Sequence, residues 1–223
     1  SISLSQTETQ YIDGVAAVHH PGGRDMTNLN PVVVGITGAS GAVMARATVD
    51  ELLRRDIPTV ALCSNPARMV WQEEMGENFT DTLVEWQEHP AFVHYPINDL
   101  RAPVASGTYP TAGMVIVPAS MNSIASLAGG LSGNLLLRSA DVCLKERRPL
   151  VLVPRETPLH SIHLENMLTL SRMGAVVVPP EPAFYLKPQG ISDIVDFVVA
   201  RIFVALDLDQ SMPYDMQYQG PVE

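Results

Sequence analysis

The segment VVVGITGASGA, residues 32–42, joins an apolar run to a turn of small residues. The apolar run is typical of a strand buried on both faces, and the residues from Ala42 onward have helical character. Gly35, Gly38 and Gly41 form the pattern G-x-x-G-x-x-G across this strand-to-helix turn. Backbone N–H groups and the helix dipole face outward at such a turn, which favours a phosphate-binding loop over a tight turn without a ligand.

Beyond this segment, apolar strands alternate with helical patterns along the chain. Such alternation predicts an α/β fold, a Rossmann-like (flavodoxin-like) doubly wound parallel sheet in three layers, with ligands beyond the carboxyl ends of the strands. Residues 1–30 are predicted to be a flexible extension, 31–209 one domain and 210–223 a tail. The predicted strands are 32–36, 59–62, 114–117, 150–153 and 175–178, the predicted helices are 42–55, 66–75, 123–127, 134–147, 161–173 and 191–206, and residues 76–109 are predicted to be irregular.

The composition restricts both the partners and the cellular compartment. A net charge of -10 argues against duplex nucleic acid, so an anionic ligand must be held by local groups rather than by a basic surface. Only Cys63 and Cys143 are present, each in an apolar segment, which favours buried thiols in a reducing compartment. No apolar run reaches the length of a membrane span. We therefore expect a soluble, cytoplasmic protein.

A nicotinamide-dependent dehydrogenase is the first alternative that the glycine turn suggests. Its ribose site needs an Asp or Glu at the end of the second strand, where this chain has Cys63, Ser64 and Asn65. The Tyr-x-x-x-Lys pair of short-chain dehydrogenases is missing as well, because no tyrosine here has a lysine four residues later. A serine at this strand end suits a mononucleotide instead.

Six segments share the pattern of one known family. They are GITGASGA, APVASGTYP, MVIVPASMNSIASLAGG, NLLLRSADVCLKERRPLVLVPRETPLHSIHLENM, GAVVVPPEPAFYLKP and DIVDFVVARI. Together they resemble the UbiX-type flavin prenyltransferases, within the wider superfamily of flavin-binding cysteine decarboxylases. The resemblance covers most of residues 32–206, and DVCLKERRPLVLVPRETPL is its most specific part.

The resemblance implies an activity and an assembly. It implies a metal-independent enzyme that joins a dimethylallyl group, from dimethylallyl phosphate or pyrophosphate, to N5 and C6 of reduced FMN. The product would be prenylated FMN, the cofactor of UbiD-type decarboxylases. It also implies a dodecamer built from trimers, with each site shared between subunits, and neither a nucleic acid partner nor a membrane span.

The resemblance assigns roles to residues by the motif that each one matches. It implies that Ser40, Glu74 and Glu156 are catalytic. It places the prenyl phosphate on Lys145, Tyr185 and Arg201. The implied FMN contacts are Gly38, Ala39, Ser40, Ser64, Ser106, Ser120, Met121, Arg138 and Arg155.

The chemistry of prenyl transfer suits these residue types. Breaking the allylic C–O bond leaves negative charge on the phosphate, which Lys145, Arg201 and the Tyr185 hydroxyl can stabilise. Ring closure requires loss of a proton from flavin C6, and the leaving phosphate or Glu156 could accept it with assistance from Glu74. Purely structural interpretations exist too, since basic residues at the end of a helix complement its dipole whether or not a ligand binds.

Two departures from the family pattern leave alternatives open. Leu100 stands where relatives carry a Trp that lines the prenyl pocket, and Met216 falls near a second such Trp, with Tyr214 as a nearby substitute. A flavin-binding paralogue without prenyl transfer is therefore one alternative. An FMN-dependent cysteine decarboxylase is another, although this chain has PASMNS in place of a PASANT-type loop and no histidine between His20 and His89.

A histidine pair, His160 and His163, is the remaining feature that could suggest a metal. The two residues are three apart, with Glu165 nearby, and they do not form the H-E-x-x-H motif of zinc enzymes. We therefore predict no metal site, and we expect the pair to cap the following helix or to pack on its surface.

Overall fold

The structure, a computed structural model, describes residues 30–220. Residues 1–29 and 221–223 lie outside that range, so the predicted division into extension, domain and tail stays a prediction. Within the described range the chain forms six strands and seven α-helices. The elements are β1 Val32–Ile36, α1 Ala42–Arg54, β2 Thr59–Cys63, α2 Asn65–Met75, α3 Phe79–Gln87, β3 Phe92–His94, β4 Gly113–Ala119, α4 Met121–Ala128, α5 Leu135–Lys145, β5 Leu150–Pro154, α6 Ser161–Arg172, β6 Val176–Val177 and α7 Ile191–Ala205.

The six strands form one parallel sheet in the order β3-β2-β1-β4-β5-β6. The strand β1 is central, and its Val32 pairs with Thr59 of β2 on one side and with Gly113 of β4 on the other. The chain winds outward in opposite directions from β1 and β4, so the crevice beyond the carboxyl ends of these two strands is the topological switch point. The predicted doubly wound parallel α/β fold is confirmed.

Helices cover both faces of the sheet and make it the middle of three layers. Val32 and Val34 of β1 pack in a core with α1, α2, α3 and α7. Val33, between them in sequence, packs in a second core with α4, α5 and α6, because successive strand residues face opposite sides. The helices α5 and α7 therefore lie on opposite faces of the sheet, which matters for the site below.

The prediction that residues 76–109 are irregular is wrong, because they contain α3 and β3. Asn78 begins α3 by accepting a hydrogen bond from the Thr80 N–H at 2.8 Å, a standard helix cap. Phe79 and Trp86 then pack edge to face against each other in the first core, with ring centroids 6.0 Å apart. The strand β3 has three residues at the sheet edge, which is too short for a clear periodic signal.

The turn after β1 lies very close to the start of α2. Gly38 faces Pro66 so closely that a Cβ on residue 38 would overlap the proline ring. We expect Gly38→Ala to lower the free energy of unfolding by about 1–3 kcal/mol, since neither the ring nor the turn can move freely. Denaturant unfolding measures this loss. Gly133→Ala is the control, because a Cβ there meets no atom within 4 Å, and an equal loss in both variants would contradict the explanation.

Candidate active site

Thr37 holds the two strands of the switch point together. Its buried hydroxyl donates a hydrogen bond to the carbonyl of Pro118 at 2.6 Å and accepts one from the N–H of Ser120 at 2.8 Å. The end of β1 is thereby fixed to the end of β4. No sequence motif marks Thr37 as a site residue, although its position directly after β1 places it at the carboxyl edge of the sheet.

The N-terminus of α1 is occupied by a carboxylate of the protein itself. The Oε2 atom of Glu74, near the end of α2, accepts hydrogen bonds from the N–H groups of Gly41 and Ala42, both at 2.8 Å. These are the groups that a helix N-terminus offers to an anion. They are therefore bound to a carboxylate in this structure rather than open to a phosphate. This differs from the expectation, based on the glycine pattern, that the turn is a phosphate-binding loop.

Glu74 lies beside two other predicted site residues, Ser40 and Arg155. Partial burial raises the pKa of the Glu74 carboxyl, but hydrogen bonding with the Ser40 hydroxyl and the two backbone N–H groups lowers it more. The positive charge of Arg155 lowers it further, so that the pKa falls below its ordinary value of 4.5. Ser40 and Arg155 thus both lie near enough to influence the carboxylate that accepts from the N-terminus of α1.

The lowered pKa predicts how Glu74 affects stability at different pH values. A carboxyl whose pKa is lower in the folded state stabilises that state above its unfolded pKa, and this contribution disappears as the pH falls through the folded pKa. We expect Glu74→Gln to cost a few tenths to about 1 kcal/mol at pH 7, the usual effect of an anion at a helix N-terminus. Unfolding measured from pH 7 to pH 3 should show the difference between variant and parent shrinking below about pH 4.5. A difference that stays constant would contradict the assignment.

Two predicted FMN contacts, Ser64 and Ser120, begin helices at the same edge. The Ser64 side chain accepts a hydrogen bond from the N–H of Ala67 at the start of α2, and Ser120 accepts one from Ser123 at the start of α4. Both serines therefore have a structural role as N-caps, whether or not they also contact a flavin. Met121 follows Ser120 as the first residue of α4.

Arg155 and Glu156 line a cavity of about 340 Å³ beyond the end of β5. The Nε atom of Arg155 is buried and has no hydrogen-bond partner in the structure. A buried guanidinium N–H without a partner is costly and indicates a position for a ligand acceptor. The Glu156 carboxylate accepts a hydrogen bond from the N–H of Thr157 at 3.0 Å.

A second group of predicted site residues surrounds the loop 105–108, against α5. The Nε of Arg138 donates to the Ala105 carbonyl at 3.0 Å. The Ser106 hydroxyl bonds that of Thr108 at 2.9 Å. Lys145 pairs with Glu146 directly beside Gly107.

Tyr185 and Arg201 form a third group along β6. They line a cavity of about 590 Å³, together with side chains from β6 and α7. The Tyr185 hydroxyl donates to the carbonyl of Met216 at 3.4 Å, and the Tyr218 ring packs edge-on against it, with centroids 5.8 Å apart. Tyr218 is therefore an aromatic residue beside Tyr185.

Within one chain, the predicted phosphate ligands are not all brought together. Tyr185 and Arg201 share a cavity that Lys145 does not line. Lys145 belongs to α5 and Arg201 to α7, and these helices cover opposite faces of the sheet.

The two remaining features from the sequence have clear positions. His160 caps α6 by accepting a hydrogen bond from the His163 N–H at 3.4 Å, and the two rings are stacked, so the expected capping is confirmed. Within residues 30–220, no three His, Cys, Asp or Glu side chains cluster as metal ligands.

Leu100 lies in the loop after β3 with 51% of its surface exposed. No helix in the described part of the chain is long and apolar enough to cross a membrane.

Comparison with known proteins gives one consistent result. The model of the Flavoprotein family matches residues 20–203. The flavin prenyltransferase UbiX of Alkalihalophilus pseudofirmus is 44% identical over 186 residues, which cover 81% of this chain and 93% of that protein.

Two solved structures are similar over nearly their whole length. AnUbiX (PadA1), in a crystal structure with FMN and dimethylallyl pyrophosphate, has a TM-score of 0.79 and 38% identity, covering 88% of this chain and all of that one. The dodecameric FMN-dependent UbiX-like decarboxylase of Escherichia coli O157:H7 has a TM-score of 0.77 and 40% identity, covering 85% of this chain and all of that one.

Proposed function

Because the chain belongs to the Flavoprotein family and, within it, to the UbiX flavin prenyltransferases, we propose that it joins a dimethylallyl group to N5 and C6 of reduced FMN. The donor is dimethylallyl phosphate or pyrophosphate, and the product, prenylated FMN, serves UbiD-type decarboxylases. The observation that carries this proposal is the group of Ser40, Glu74 and Arg155 at the switch point between β1 and β4.

The residues at the switch point fit a flavin mononucleotide. Gly38, Ala39 and Ser40 are small enough to let a planar ring approach the turn, and the buried Arg155 Nε–H lacks an acceptor that a ligand atom can supply. Reduced FMN supplies the nucleophilic atoms of the reaction. Because Glu74 occupies the α1 N-terminus, the flavin phosphate is held elsewhere, and Ser106 and Arg138 are our candidates for that role.

Each catalytic residue has a task that its surroundings support. The ionised Glu74 holds the turn in place and orients the Ser40 hydroxyl toward the reacting edge of the flavin. Lys145, Arg201 and the Tyr185 hydroxyl stabilise the negative charge on the leaving phosphate. Glu156 or the leaving phosphate accepts the proton released from C6. We propose that no metal takes part.

We propose that each site is shared between subunits of a trimer-based dodecamer. The support is that Lys145 does not line the cavity that Tyr185 and Arg201 share within one chain. A relative of similar fold, whose whole chain matches 85% of this one at 40% identity, is dodecameric. A second chain that brings its loop 105–108 to the Tyr185 cavity would complete the phosphate pocket.

We also propose a cytoplasmic location. Cys63 and Cys143 are both buried thiols. Burial raises the pKa of Cys63 to about 12 and that of Cys143 to about 11, so both remain protonated and unreactive at neutral pH. Two thiols of this kind are typical of proteins in a reducing compartment.

The test of the proposed function is anaerobic incubation with reduced FMN and dimethylallyl phosphate, followed by mass spectrometry of the released flavin. We expect a flavin heavier by one C5 unit, and a parallel reaction without donor as control shows unchanged FMN. A second reaction with the pyrophosphate identifies the donor. Bound but unchanged FMN with both donors would overturn the proposal in favour of a flavin-binding paralogue.

A further inference from the structure

Arg46, on α1, is the centre of an ion-pair network outside the candidate site. Its guanidinium contacts three carboxylates, those of Asp50 at 3.1 Å, Glu77 at 2.8 Å and Glu85 at 2.7 Å. Thr82 also donates to Glu77 at 2.8 Å. The Arg46 side chain is 22% exposed, whereas those of Asp50, Glu77 and Glu85 are 46%, 42% and 60% exposed, so water partly screens the network.

The network joins the same two helices as the Glu74 contact does. Arg46 lies one turn after Ala42 on α1, and Glu77 lies three residues after Glu74, at the corner between α2 and α3. Two contacts therefore link α1 to the end of α2. One is the Glu74 carboxylate on the α1 N-terminus, and the other is Arg46 on the α2–α3 corner.

The charges around Arg46 predict what happens when this second contact is lost. Without the guanidinium, three carboxylates from α1, the corner and α3 would face one another around an uncharged side chain. Like charges this close repel, and we expect the repulsion to favour movement of the α2–α3 corner away from α1, while the Trp86 Nε1–H bond to Asp50 at 2.7 Å still joins α3 to α1. Because Glu74 lies one turn before that corner, such movement lengthens its hydrogen bonds to Gly41 and Ala42.

We propose that Arg46 is a positioning residue that holds the α2–α3 corner against α1 and thereby keeps the Glu74 carboxylate on the Gly41 and Ala42 N–H groups. Its consequence for prenyl transfer rests on the proposed function, whereas its effect on the turn does not. The hydrogen bonds and ion pairs of Arg46 reach none of the predicted site residues, so we place its effect on the site in the position of Glu74.

The first test measures how well the N–H groups of residues 41 and 42 are protected, by amide hydrogen exchange in the full chain. We expect Arg46→Met to speed exchange by about tenfold, in the same direction as Glu74→Gln, because both weaken the hydrogen bonds that these groups donate. The matched control is Arg54→Met, which loses an ion pair with Glu51 on the same helix. Unchanged exchange in Arg46→Met, or equal acceleration in Arg54→Met, would overturn the proposal.

The second test uses Arg46→Lys, which keeps the positive charge. This variant keeps the proposal testable if Arg46→Met does not fold. A lysine pairs with one carboxylate rather than three, so we expect exchange between that of the parent and that of Glu74→Gln. Exchange equal to that of Glu74→Gln would show that the charge does not hold the corner, which overturns the proposal.

The rate of prenyl transfer by the same variants distinguishes failure of the positioning role of Arg46 from failure of the proposed function. We expect Arg46→Met to lower kcat more than it raises KM for the donor, since the donor phosphate is bound elsewhere. Faster amide exchange with an unchanged kcat would support the positioning role and count against Glu74 in catalysis.

Discussion

Glu74→Gln should lower the rate of prenyl transfer by about 10²–10⁴-fold, the usual effect of removing a residue that handles or orients protons. The amide of glutamine presents an oxygen or an NH₂ group in place of a carboxylate, so it cannot accept from Gly41, Ala42 and Ser40 with a full negative charge. The Arg155 guanidinium also loses its nearby counter-charge. Single-turnover prenylation with reduced FMN measures the rate.

The binding of FMN separates this effect from loss of the fold. We expect the affinity for FMN to change by less than about tenfold, since most predicted flavin contacts do not involve Glu74. Glu73→Gln, on the preceding and exposed position of α2, is the control and should keep the parent rate. A variant at Glu74 that retains full activity would remove it from the mechanism, and so would a Glu73 variant with the same loss.

Ser40→Ala tests the other half of the same contact. If the Glu74 carboxylate acts by orienting the Ser40 hydroxyl, the double variant should lose little more than either single variant does. Residues that act as a unit are strongly non-additive in this way. Losses that multiply in the double variant would show that the two residues act independently.

The strands and strand ends that position this site could be predicted, because they depend on the local sequence pattern. Strand β1 was predicted at its exact bounds, since an apolar run that ends in small residues has a direct structural cause. The parallel sheet then places the residues after each strand at one edge, which is why Ser40, Ser64 and Ser120 could be grouped from sequence order.

The contacts between elements could not be predicted in the same way. Glu74 meets Gly41 only because α2 packs against α1, and no spacing in the sequence encodes that distance. Glu74 was singled out through the family resemblance, and nothing in the pattern indicated that it would fill the helix N-terminus. Thr37 and Tyr218 were missed for the same reason, since each matters through a partner far away in sequence.

Arg138 and Lys145 raise the question of which copy of the chain each residue acts in. Their helix covers the face of the sheet opposite to α7, and neither residue lines the cavity that contains Arg201. A pattern that marks residues as functional does not state which copy of the chain they act in. A direct experiment on mixed oligomers resolves this point.

Mixed oligomers of two inactive variants should regain activity if each site uses residues of two chains. Lys145→Met removes the phosphate ligand from the loop 105–108 group, and Glu74→Gln disables the switch point. A shared site is intact when its Glu74 comes from a Lys145→Met chain and its Lys145 from a Glu74→Gln chain. With equal amounts mixed at random, about one quarter of the sites meet this condition.

The rate of prenyl transfer after unfolding and refolding the two variants together measures the restored fraction. The control is a mixture of Glu74→Gln with Ser40→Ala, whose residues lie at one turn of one chain and cannot complement each other. We expect about a quarter of the parent activity in the first mixture and almost none in the second. No recovery in the first mixture would mean that Lys145 serves the switch point of its own chain.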